Sequence, residues 1–164
     1  MSDDNALLRH TLATLAYRLE KVLRDVPPAF DYYDGGAGIR TPLALLGHLG
    51  DLMEWGERLA NGEYRWDPVG GLSWDAQRDR VFATLARFDA RLAEGPPGSP
   101  AGQIFQGPIA DALTHVGQLA MLRRMAGNPV RAESYARAQI IAGKVGREQS
   151  AERVEFDGDA SVRK

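Results

Sequence analysis

The chain of 164 residues contains no cysteine. Disulfides, thiolate zinc ligands and a cysteine nucleophile are therefore excluded, and His, Asp and Glu remain as the side chains that can hold a metal ion. Any thiol chemistry would need an external thiol. Histidine is also scarce, with three residues in the chain, so the position of each histidine is informative.

Two further absences limit the partners of the chain. The formal net charge is -2 and the Lys and Arg residues are scattered, so no basic stripe can neutralise a phosphate backbone and we expect no nucleic acid partner. No stretch approaches the ~20 apolar residues of a membrane-spanning helix. The start, MSDDNALLRH, is acidic and is not followed by the long apolar run of a leader peptide. We therefore expect no membrane partner and a cytoplasmic location.

Helical periodicity dominates what the sequence does contain. Apolar residues recur at spacings of three and four in four segments, separated by turn residues rich in Gly, Pro and Asn. Thr41 and Ser73 are typical N-cap residues for the second and third helices. The fourth helix begins most firmly at Gly107-Pro108, although a start near Pro100 is the alternative. The approximate helix ranges are 4–25, 42–60, 73–94 and 108–126.

Four amphipathic helices of this length predict an all-α fold, in which the apolar stripes are buried in a four-helix bundle. We assign the bundle to residues 1–129 of a single domain. The segment 130–164 has little periodicity, so we expect an irregular extension that wraps the bundle and frays at its last residues. The pattern leaves the connectivity open. The connector 61–73 is long enough for a crossover, which would make the second and fourth helices antiparallel rather than parallel.

A helical projection at 100° per residue predicts which histidines point inward. His10 lies away from the leucine stripe of the first helix, so we expect it to face solvent. His48 falls within the apolar stripe of the second helix, opposite the acidic side that carries Asp51 and Glu54, and we expect it to point into the core. The acidic side is expected to face solvent.

On the fourth helix, Arg123 and Arg124 are predicted to mark the solvent side, and three polar residues lie opposite them: Asp111, His115 and Gln118. A polar group buried without a partner costs roughly 1 to 3 kcal/mol. A divalent metal ion would satisfy these groups, because residues four apart lie one above the other on a helix and Asp111 and His115 can share one ion.

His48, from a facing helix, would be the third metal ligand. Three protein ligands leave positions open for water or substrate, which is the arrangement of a catalytic rather than a structural site. Simpler interpretations remain open. His48 and Asp111 could form a buried polar pair, and Asp111 lies in a first helical turn, where the helix dipole favours a carboxylate. Gln118 suits a hydrogen-bonding partner of a ligand as well as a ligand.

Three segments carry a resemblance to a known family: LLRHTLATLAYRLEKVL, LGHLGDL and GPIADALTHVGQLAMLRRMAG. They resemble the DinB-like (YfiT-like) superfamily of bacterial four-helix proteins over about residues 5–145. The resemblance implies a bundle with a crossover connection after the second helix, commonly assembled as a dimer. It also implies a divalent metal held by one His of the second helix and a His-x-x-x-His pair on the last.

This chain matches the metal-binding motif of the superfamily only in part. His48 and His115 match the motif, and Asp111 stands where the first His of the pair would be. A set of two His and one Asp suits zinc, nickel, manganese or iron.

The same resemblance implies a function, because members of the superfamily include enzymes that transfer bacillithiol or act on mycothiol adducts. It implies a metal-dependent low-molecular-weight-thiol S-transferase or a hydrolase, acting on a small-molecule substrate and using a thiol such as bacillithiol or mycothiol. The alternative is a non-catalytic metal-binding or stress-associated dimeric interaction protein. An open coordination position beside an apolar pocket would favour the enzyme.

We also expect a homodimer. The fourth helix is apolar nearly all round, with Ile109, Leu113 and Val116 on the side away from His115. Such a helix needs cover on both sides, which a second copy could supply. The alternative is that the segment 130–164 supplies this cover within one chain.

Overall fold

The computed structural model describes residues 3–156 and confirms the all-α fold. The helices are α1 (Asp3–Leu23), α2 (Pro42–Ala60), α3 (Trp74–Glu94), α4 (Ala101–Ile104) and α5 (Ala110–Met125). A π-helical turn, Phe105–Ile109, joins α4 to α5, so these three form the fourth long helix of the bundle. The expected fraying concerns residues that lie outside the described part of the chain, which ends at Phe156.

The apolar stripes predicted from periodicity form the core. Leu12 and Leu49 are fully buried, as are Leu85 of α3 and Leu119 of α5. Both predicted N-caps are present: the hydroxyl of Thr41 accepts a hydrogen bond from the Ala44 N–H, and that of Ser73 accepts one from the Ala76 N–H. These caps satisfy N–H groups that have no partner within the helix. None of the helices within residues 3–156 combines the length and apolar character needed to span a bilayer.

The prediction that the fourth helix begins at Gly107-Pro108 is wrong and the alternative start near Pro100 is correct, because the helical segment already begins at Ala101. Proline lacks an N–H and its ring clashes with the carbonyl four residues earlier in an α-helix. The π-helical turn contains Pro108 and widens the helix where that clash would occur, so the chain continues as a helix through the proline. The sequence pattern indicated a helix break where the structure has only a local change of pitch.

The connection after α2 is a crossover, as contacts between α2 and α3 show. Arg80 contacts Asp51, and further along both helices Arg91 donates a hydrogen bond to the Asn61 side chain. Residue numbers rise together in these pairs, so α2 and α3 are parallel. By contrast, α2 and α5 are antiparallel, because His48 lies beside His115 while Trp55 packs against Gly107.

The acidic side of α2 does not face solvent as predicted, because it packs against α3. Asp51 is buried and Glu54 is partly buried, and both bind the guanidinium of Arg80 at N–O distances of 2.6 and 2.9 Å. The two helices approach closely at Gly56, where an added Cβ would lie 2.4 Å from the Phe88 ring. The pattern indicated a solvated face because the charged residues that pair with it lie on another helix.

Arg123 is also buried rather than solvent-facing, whereas Arg124 is exposed as predicted. The Arg123 guanidinium donates hydrogen bonds to the carbonyl oxygens of Val22, Arg24 and Asp25 at 3.2, 2.7 and 3.2 Å. The last carbonyls of a helix have no partner within it. Arg123 therefore caps the C-terminus of α1, and this cap fixes the end of α1 against α5.

The apolar side of α5 is covered within the single chain. Ile109 and Val116 are buried, and Leu113 packs partly buried against the core. Helix α1 lies against α5, so the need for cover that motivated the homodimer is met without a second copy.

The C-terminal segment packs mainly against α1. Its strands β1 (Ala132–Glu133) and β2 (Glu155–Phe156) pair antiparallel, with Ala132 opposite Phe156. Glu133 is buried, accepts hydrogen bonds from the Tyr17 hydroxyl and from the Lys21 ammonium at 2.6 Å, and lies at the centre of this contact. Burial alone would raise the pKa of Glu133, but the hydrogen bonds from Lys21 and Tyr17 outweigh it and lower the pKa.

We predict that Glu133→Gln lowers the free energy of unfolding by about 2 to 4 kcal/mol, because the substitution leaves the buried Lys21 with only the more distant Glu155. A carboxylate whose pKa is lowered by folding stabilises the protein above its ordinary pKa of 4.5. The difference between wild type and variant in urea denaturation should therefore be full near neutral pH. This difference should shrink as the pH falls below 4.5 and Glu133 becomes protonated.

Glu148→Gln is the matched control, because Glu148 is exposed. It should change the free energy of unfolding by less than about 0.5 kcal/mol. A Glu133→Gln variant as stable as this control would contradict the anchoring role of Glu133.

Candidate metal centre

Three side chains that the sequence predicts as metal ligands come together between α2 and α5. His48 projects from the second turn of α2, and Asp111 and His115 project from successive turns at the start of α5. One ligand atom from each residue lies within 4.8 Å of the others. The His48 and His115 rings meet edge to face, with centroids 4.7 Å apart.

The distances are compatible with a shared ion. Ligand atoms held at about 2.0–2.1 Å from a four-coordinate ion lie about 3.3 Å from one another. The His115 Nε2 lies 3.3 Å from Asp111 Oδ1, and the His48 Nε2 lies 3.7 Å from Asp111 Oδ2. The second distance is too long for a hydrogen bond. The donor set, two imidazole nitrogens and a carboxylate oxygen, is one that zinc and other first-row divalent ions accept.

Gln118 orients one of the ligands. Its side-chain oxygen Oε1 lies 2.8 Å from Nδ1 of His115. An amide oxygen can only accept, so Nδ1 carries the proton and the lone pair of the neutral ring is on Nε2, the atom that faces Asp111. Hydrogen bonds of this kind fix the tautomer and orientation of metal-binding histidines. The geometry therefore makes Gln118 a partner of a ligand rather than a ligand.

The surroundings of His48 favour its neutral form. Burial lowers the pKa of His48, and its electrostatic interactions with His115 and Arg40 lower it further, against the opposing effect of Asp111. Metal ions bind the neutral imidazole. His48 is thus available as a ligand at a lower pH than an ordinary histidine.

The centre lies in a groove at the surface and not in the bundle core. The side chains of His48 and His115 are 22% and 12% exposed, whereas that of Asp111 is 46% exposed and Gln118 is also exposed. The prediction that all these groups point into the core is therefore wrong for Asp111 and Gln118, and His48 and His115 are only partly buried. Helical projection cannot show how far a face lies from the bundle axis. His10 is exposed, as predicted, and lies outside the cluster.

A cleft of about 510 Å³ opens beside the two histidines. Its walls are mainly apolar, and His48, His115 and Gln118 lie on one side of it. On the other side of His48, the indole of Trp66 from the crossover connection lies with its centroid 5.8 Å away. The size falls within the range of small-molecule sites.

Sequence reasoning missed several residues of this cleft, among them Arg40, Met121 and Met125. Arg40 lies in the connection before α2, where no periodicity indicates its direction. The two methionines are on the exposed side of α5 and gave no sign of lining a cleft. Their role in the cleft is visible only in the structure, where they lie near the start of α2.

Comparisons with protein-family models, with curated proteins and with solved structures found no match to this chain. The interpretation of the centre therefore depends on its own geometry and chemistry.

We predict that protein purified without an affinity tag, then loaded and dialysed, retains about one zinc ion per chain by mass spectrometry of metals. His48→Ala or His115→Ala should abolish retention, because each removes one of three ligands. Asp111→Ala should weaken zinc binding by a smaller factor, since water can replace an exposed carboxylate. Gln118→Ala should weaken it about tenfold or more by freeing the His115 ring.

His10→Ala is the matched control, because it removes an exposed histidine outside the cluster. It should leave zinc binding unchanged. Stoichiometric zinc in the His48→Ala, His115→Ala double variant would show that the ion binds elsewhere.

Proposed function

We propose that this protein is a divalent-metal-dependent enzyme that promotes attack of a low-molecular-weight thiol, or of water, on a small electrophilic substrate. The observation that carries the proposal is the position of three ligand atoms within 4.8 Å of one another, two of them from histidines that line a cleft of about 510 Å³. A zinc, nickel, manganese or iron ion held there would lower the pKa of a coordinated thiol or water and supply a nucleophile near neutral pH.

The residues of the chain divide the remaining tasks. His48 and His115 would bind the ion through their Nε2 atoms, and the hydrogen bond to Gln118 would hold the second of these rings in the required tautomer. The carboxylate of Asp111 adds a negative charge to the ligand set. That charge leaves a bound ion a weaker electrophile than three neutral imidazoles would, so Asp111 moderates the activation of the nucleophile.

The cleft and the composition support an external nucleophile. Three protein ligands leave room at the centre for a thiol or water, and mainly apolar side chains line the cleft beside the two histidines. Because the chain has no cysteine, a thiol must come from a small molecule such as bacillithiol or mycothiol.

A relationship to the DinB-like superfamily is part of the proposal. It is supported by the crossover after α2 and by the positions of His48, Asp111 and His115, which agree with what the sequence motifs imply. A homodimer and a cytoplasmic location stay predictions.

We predict that the zinc-loaded protein accelerates the reaction of bacillithiol, mycothiol or glutathione with halogenated or epoxide electrophiles, and that chelation removes the acceleration. Loss of the thiol, followed by a colorimetric assay, measures the rate. Asp111→His should bind metal and retain or increase the rate, because it removes the moderating charge.

His10→Ala should match the wild type, and His115→Ala should match the chelated protein. The proposed enzyme would be contradicted if the zinc-loaded wild type, with zinc shown to be bound at the centre, reacted no faster than the chelated wild type with any of these substrates. That outcome would favour the non-catalytic metal-binding protein.

A further inference from the structure

Several large apolar side chains are exposed on the wall of the cleft beside the candidate metal centre. Ile39, Met121 and Met125 are 48%, 58% and 47% exposed, and all three lie on the wall of this one cleft. Leu45 and Leu122 form its buried floor. Apolar side chains grouped around a concave surface indicate a ligand with an apolar body.

Arg40 is the only residue lining the cleft that carries a permanent charge. It lies at the junction of two clefts, because it also lines the groove on the other side of His48. Within residues 3–156, Arg40 has no carboxylate partner. Arg9, Arg80 and Arg153, by contrast, each bind a carboxylate at 2.6 to 2.9 Å.

The charge balance of the site favours an anion. A divalent ion held by two neutral imidazoles and one carboxylate keeps a net charge of +1, and Arg40 adds another positive charge. Among residues 3–156, no acidic residue lines the cleft itself. Arg40 is exposed, and its positive charge at the edge of an apolar cleft favours an anion there.

We infer that the cleft binds a small amphiphilic carboxylate, with the carboxylate held by Arg40 and the apolar body lying against Ile39, Met121 and Met125. The planar guanidinium matches a carboxylate through two parallel hydrogen bonds. The apolar body would then extend past His48 and His115, which brings its reactive part to the metal centre. This last placement rests on the proposed function, whereas the recognition by Arg40 belongs to the chain itself.

The test compares two probes of the same shape, 4-phenylbutyrate and its primary amide, by titration calorimetry on the full-length chain with and without zinc. The acid should bind more tightly than the amide in both forms. Arg40→Gln should reduce the ratio of the two affinities about tenfold, as expected for the loss of a charge-assisted hydrogen bond. Arg40→Lys should retain part of the ratio.

Two controls separate recognition by Arg40 from the metal. Arg137→Gln changes an exposed arginine in the C-terminal segment and should leave the ratio unchanged. Arg40→Gln should still bind zinc at least as tightly as the wild type, since Arg40 is not a ligand and its charge opposes a cation.

Equal affinities for acid and amide, no binding of either probe, or an unchanged ratio in Arg40→Gln would each overturn the inference. A ratio that disappears on removal of zinc would also overturn it, because the ion would then hold the carboxylate. If the wild type fails to bind zinc but discriminates the acid through Arg40, the inference stands and the proposed metal enzyme falls.

Discussion

The contact between Gly107 and the indole of Trp55 sets the position of the whole candidate centre. A Cβ at residue 107 would lie 3.1 Å from the indole, so glycine allows the fourth helix to approach α2 closely at this point. The π-helical turn in which Gly107 lies takes one more residue than an α-helical turn and so rotates the helix that follows. The direction of Asp111 and His115 depends on that rotation, and π-helical turns often occur at functional sites.

The crossover connection after α2 also determines how His48 and His115 come together. It makes α2 parallel to α3, with Arg80 binding Asp51 and Glu54 across the contact, and it leaves α2 antiparallel to α5. In this arrangement, the start of α2, with His48, faces the His115 turn of α5. Charges along the α2–α3 contact are paired, whereas the α2–α5 groove holds the cluster of His48, Asp111 and His115 that could take a metal ion. One side of α2 packs against α3, and the other side carries the candidate metal ligand His48.

Much of this could be predicted from local patterns. The leucine stripes, the caps at Thr41 and Ser73, and the i, i+4 pair on the fourth helix depend on neighbouring residues only. The pattern failed where a distant partner decides the outcome. Arg123 is buried because it caps α1, and the acidic side of α2 is covered because α3 supplies arginines. The depth at which His48 meets His115 likewise depends on helix direction and offset, which no single helix encodes.

The central claim is that His48, Asp111 and His115 hold one divalent ion. Anomalous diffraction at the zinc absorption edge, on crystals of the zinc-loaded full-length chain, tests it most directly. The account predicts one anomalous peak per chain, about 2 Å from the Nε2 atoms of both histidines and beside the Asp111 carboxylate, with solvent completing the coordination. A peak only at His10, or no peak at the α2–α5 groove in zinc-loaded crystals, would contradict it.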